Sequence, residues 1–139
     1  MDFESLKLKQ KVLGLQHIKV SNLYFNIGYI HQEKRDLLSS DKAFQKGLVV
    51  LSSLYPEENE KFADFYEELG YNQSVKGDFH GAIKYLQKAL SIKENIFGEN
   101  GEELIFTYKY LGRSYYEDEY YGKAVDYTHN PSAVSEQPL

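Results

Sequence analysis

YEELGYNQSVKGDFHGAIKYLQKAL, residues 66–90, carries the pattern that decides the fold. Apolar residues recur at steps of three and four through Asp64 to Lys76, which lines one face of a helix. Gly77-Asp78 interrupts that run, and a second periodic run opens at Phe79. The segment therefore reads as two helices joined by a tight turn. Gly70 on the first helix, with Ala82 and Ala89 on the second, permits close approach, because neither backbone presents a bulky side chain there.

The same pattern appears on either side. Gly28, Gly70 and Gly112 are spaced by 42 and 42, each after an aliphatic residue (Ile27, Leu69, Leu111). Tyr24, Tyr66 and Tyr108 keep that register, with Val20, Phe62 and Leu104 four positions earlier on one helical stripe. Ser40, Ala82 and Ala124 are small in step, as are Gly47 and Ala89. Leu6, Leu48 and Leu90 form a further set, followed by Val12, Leu54 and Ile96, and then by Leu13, Tyr55 and Phe97. Each series ends at a turn residue, Gly14, Pro56 or Gly98. Such recurrence marks a repeat array, in which each unit hides its apolar face against its neighbour.

Tyr66, Leu69-Gly70, Gly77-Asp78-Phe79, Ala82-Ile83, Leu86 and Ala89-Leu90 resemble a tetratricopeptide repeat. Gln73 and His31 depart from it where an aromatic is usual, whereas Tyr115 conforms. The ordinary repeat of that family is about 34 residues. The longer period here, with KVLGLQHIKVSNLYFNIG at 11–28 and IFGENGEELIFTYKYLG at 96–112, resembles kinesin light chain repeats. The resemblance implies an all-α superhelix of antiparallel hairpins with about seven helices. It also implies a non-catalytic module binding a protein or peptide in its concave groove, as an adaptor or scaffold.

The expected organisation is one repeat domain over residues 1–128. A lone helix at 2–14 precedes repeats at about 19–59 and 60–101 and a partial one at 102–128. Thr128-His129-Asn130-Pro131 stops the last helix, because proline lacks the backbone donor and disfavours helix before it. Residues 129–139 are then a polar tail, expected to be disordered. The uncapped C-terminal end offers a route to homo-oligomers.

Composition narrows the function. The chain has 139 residues, a net charge of −5 and no cysteine. Its field repels phosphates, so neither nucleic acid nor anionic membrane is an expected partner. Lys7, Lys9 and Lys11 form the only short basic cluster and read as a solvated helix face. No membrane-spanning stretch or secretory leader is evident, which points to a cytoplasmic setting. His17, His31, His80 and His129 are scattered, Glu57, Glu58 and Glu60 lack the pattern of a calcium loop, and Gly98 to Gly101 lacks that of a phosphate loop. No metal, cofactor or catalytic residue is expected. Asn72-Gln73-Ser74 matches a glycosylation acceptor but falls in mid-helix.

In such arrays the first helix of each hairpin lines the concave side. Its inward positions form ladders: Phe25, Glu67 and Lys109; Tyr29, Tyr71 and Arg113; Gln32, Ser74 and Tyr116, flanked by Asn26, Glu68 and Tyr110. Amides suit a peptide backbone, tyrosine supplies area with a polar tip, and arginine forks onto a carboxylate. Lys109 and Arg113, one turn apart, are expected to grip an acidic group, and Phe25 with Tyr29 an apolar one. The competing reading has the two cations neutralising Glu67, Glu68 and Glu117. A regulatory peptide sensor and a self-assembling structural unit are the alternative roles.

Overall fold

In a computed structural model the described residues are 3–118, and every regular element among them is helical. They comprise α1 (Phe3–Glu33), α2 (Leu37–Ser52), α3 (Glu60–Lys76), α4 (Phe79–Phe97) and α5 (Ile105–Glu117), with a 3-10 turn at Glu102–Leu104 before α5. The chain divides at Glu58/Asn59 into two compact units. The first contains the α1/α2 hairpin, and the second contains α3, α4 and α5.

The helix ends follow from local chemistry. Asp36, Asn59 and Asp78 cap α2, α3 and α4, their side chains accepting from the backbone N–H of Ser39, Lys61 and Gly81. At the end of α3, Gly77 turns left-handed (φ 88°), while Gly77 N–H donates to Ser74 O and Asp78 N–H to Gln73 O. This Schellman motif satisfies the last carbonyls. α1 ends identically 42 residues earlier, with Arg35 N–H donating to Gln32 O and Asp36 N–H to His31 O. There Arg35 occupies the left-handed position (φ 63°) that α3 gives to glycine.

The close approaches keep the repeat register. At Gly28 the α1 backbone receives the ring of Phe44 on α2, and at Gly70 the α3 backbone receives Leu86 on α4. Positions 44 and 86 are again 42 apart. Ser40, equivalent to Ala82, donates its hydroxyl to Gly28 O at 2.8 Å, and Ser21 donates to Gly47 O at 3.1 Å. In the second unit Ala82, Ile83, Leu86 and Leu90 of α4 form the core with Leu104, Tyr108, Leu111 and Tyr115. Tyr115 is fully buried where the repeat pattern asks for an aromatic.

One expectation is corrected. The sequence reading placed a lone helix at 2–14, a turn at Gly14 and a new helix from about 19, giving about seven helices. Residues 3–33 instead form one continuous helix, so five α-helices stand among the described residues. Pro56 and the Gly98–Gly101 pair break the chain at the later equivalents, whereas Gly14 stands alone. A lone glycine costs a helix only about 1 kcal/mol and does not end it. The seventh expected helix, the polar tail and the uncapped C-terminal end lie outside the described residues.

Candidate peptide-binding site

On α1, Phe25 and Tyr29 stand one turn apart with ring centroids 5.3 Å apart, edge to face. Both lean on Phe44 of α2, at 5.6 and 6.4 Å. Phe25 is half-buried and Tyr29 and Asn26 are exposed, while Gln32 is buried. Phe25 and Tyr29 thus serve the α1/α2 packing with one side and face solvent with the other.

The second unit contains two different environments. Glu67 of α3 is buried against Lys93 of α4, with carboxylate and ammonium 2.5 Å apart. Thr107 of α5 donates its hydroxyl to the same carboxylate oxygen, and Lys93 also donates to Glu103 O at 3.3 Å. Glu67, which the sequence placed facing a ligand beside Lys109, is therefore engaged in tying three helical elements together. Nearby Asp64 has its carboxyl pushed up to about 6, first by burial and then by Glu67, Glu60 and Glu68, against the pull of Lys93. Lys93 and Thr107 escaped the sequence reading because a lone lysine on a second helix and a lone threonine on a first helix leave no periodic signal.

One step along the same helices the surface is aromatic. Tyr71 of α3 meets Tyr110 of α5 edge to face at 5.6 Å, and Phe106 lies 4.4 Å from Tyr110. Burial, followed by Tyr71 and Glu68, raises the pKa of the Tyr110 hydroxyl, with Arg113 opposing. Phe106 and Tyr116 remain exposed and Ser74 is half-buried. Phe106, absent from the sequence-derived ladders, was recoverable as the residue one turn before Tyr110.

Lys109 and Arg113 are exposed on α5 beside this ledge. Among the described residues no carboxylate lies within ion-pair distance of either. Glu67, one of their supposed partners, is held by Lys93 instead. Asn72, the formal glycosylation acceptor, is fully buried in α3.

Amphipathic helix pairs recurring at a fixed step, packed through small residues at equivalent positions, define a helical-repeat protein. The model of the tetratricopeptide repeat family matches residues 62–127, and this match supports a tetratricopeptide repeat there. Repeats of this kind generally mediate protein–protein interaction. A comparison with curated protein sequences finds no match.

Proposed function

We propose that this protein is a non-catalytic interaction module that binds an extended, acid-bearing segment of a partner protein along the first-helix faces of its hairpins, in an adaptor or scaffold role. The observation that carries the reading is the pairing, on α5, of two exposed cations lacking carboxylate partners among the described residues with the Tyr71–Tyr110–Phe106 ledge. Arg113 forks onto a carboxylate and Lys109 adds a point charge, while the ring faces take an apolar side chain and Ser74 and Tyr116 supply polar contacts. On the first unit taken by itself, Phe25 and Tyr29 offer an apolar contact and Asn26 an exposed amide, whereas the Gln32 amide is buried in α1. The net charge of −5 disfavours nucleic acid and anionic membrane as partners, in keeping with a cytoplasmic setting. The test is a display selection of random peptides on the full chain and on a Lys109→Ala/Arg113→Ala variant. Enrichment of peptides with an acidic residue near an aromatic or aliphatic one, lost on the variant, supports the reading. Acid-free peptides that bind both proteins alike refute it.

A further inference from the structure

Lys93 on α4 holds a carboxylate that the repeat register sets against the α5 cations. Glu67 and Lys109 stand at equivalent positions of α3 and α5, 42 residues apart, and Arg113 follows Lys109 by one turn. Thr107, two residues before Lys109, donates to the Glu67 carboxylate, and Glu67 and Arg113 both act on the Tyr110 hydroxyl. Glu67 therefore lies within the field of the cationic pair. It pairs with neither cation, because Lys93 meets it at 2.5 Å in a buried contact and is itself fixed by donating to Glu103 O at 3.3 Å.

The repeat closes this register without charge elsewhere. In the first unit the positions equivalent to Glu67 and Lys93 are Phe25 and Leu51, the one half-buried and the other fully buried. A buried ion pair stabilises a fold no more than well-packed apolar residues of similar volume do. What the second unit gains from Glu67 and Lys93 is thus a fixed arrangement of charge. Lys93 also acts on Asp64, whose carboxyl in turn feels Glu67, Glu60 and Glu68, so it is a cation set among the acids of α3.

We propose that Lys93 sets the charge preference of the α5 site by keeping Glu67 off Lys109 and Arg113, so that both cations stay open to a carboxylate of the partner. The proposal rests on the acid-binding reading above and assigns a specificity-determining role to a residue that does not touch the ligand. Without Lys93 the Glu67 charge would attract Lys109 and repel the incoming acid. One uncompensated charge across the about 10 Å between packed helices changes the affinity for a charged ligand by about twofold to fifteenfold, depending on the effective dielectric.

The experiment titrates an acidic peptide from the display selection, and its copy with Asp and Glu replaced by Asn and Gln, into the full chain and into Lys93→Met, Glu67→Gln and the double variant. Lys93→Met should weaken the acidic peptide by about fivefold, Glu67→Gln should bind it at least as tightly as the unaltered chain, and the double variant should return to within about twofold. Both single variants break the same ion pair, so a merely structural tie would weaken binding alike in each. Opposite directions are the signature of charge. Circular dichroism checks the helical content of each variant. Should Lys93→Met fail to fold, Glu67→Gln must still bind the acidic peptide at least as tightly as the double variant does. Parallel losses in the two single variants, a double variant no better than Lys93→Met, or Glu67→Gln weaker than the double variant would each overturn the proposal. An unaltered chain that binds the acidic peptide and its amide copy equally well would instead remove the acid-binding reading, and the proposal with it.

Discussion

Two glycines on the same helix should respond oppositely to the same change. A methyl group on Gly28 would sit 2.6 and 2.7 Å from Cδ1 and Cζ of Phe44. Carbon atoms prefer about 3.5 to 4.0 Å, so the ring would have to withdraw by roughly 1 Å. Phe44 is fully buried and already held by Phe25 and Tyr29, which leaves it no free path. Overpacking of this kind costs about 1–3 kcal/mol, against which alanine recovers up to about 1 kcal/mol of helix propensity. Gly28→Ala should therefore destabilise the protein by about 1–2 kcal/mol. At Gly14 nothing lies within 4 Å of the added methyl, so only the propensity gain remains and Gly14→Ala should stabilise by up to about 1 kcal/mol. Urea unfolding followed by far-ultraviolet circular dichroism measures both. A double-mutant cycle with Phe44→Leu should show that the Gly28→Ala penalty depends on the ring. Loss of stability in Gly14→Ala would mean a turn at residue 14, and a neutral Gly28→Ala would refute the packing argument.

Lys93→Met strands the buried Glu67 carboxylate and should cost about 3–5 kcal/mol in urea unfolding, with part regained on adding Glu67→Gln. Asp64 binds its proton more tightly in the folded protein, at about 6 against an ordinary 3.8, so stability should rise as pH falls through that window. Glu94, also shifted upward by burial, acts in the same sense. Asp64→Asn should flatten most of that rise in thermal melts between pH 7 and 4. Arg35→Gly relieves a left-handed residue that costs about 1 kcal/mol, and should raise the melting temperature by an amount equivalent to roughly 0.5 kcal/mol once glycine's added unfolded-state freedom is deducted.

The hairpins were legible because their determinants are periodic. Gly28, Gly70 and their contacts Phe44 and Leu86 share one register, and Gly77-Asp78 interrupts the pattern where the structure starts the second helix. The continuity of α1 was not legible, since Gly14 resembles a turn residue only by analogy with Pro56 and Gly98 and carries no breaker of its own. Lys109, Arg113, Tyr71 and Tyr116 could be placed on first-helix faces from spacing alone. The fate of Glu67 could not, because its partner Lys93 lies 26 residues away on another helix, and what joins them is burial rather than pattern.

The most direct test of the binding account is calorimetric titration of a selected acidic peptide into the full chain and into the Lys109→Ala/Arg113→Ala variant at two salt concentrations. The account predicts saturable binding that weakens about tenfold or more in the variant and loses its salt dependence there. Equal affinity for both proteins, with the same salt dependence, would contradict it.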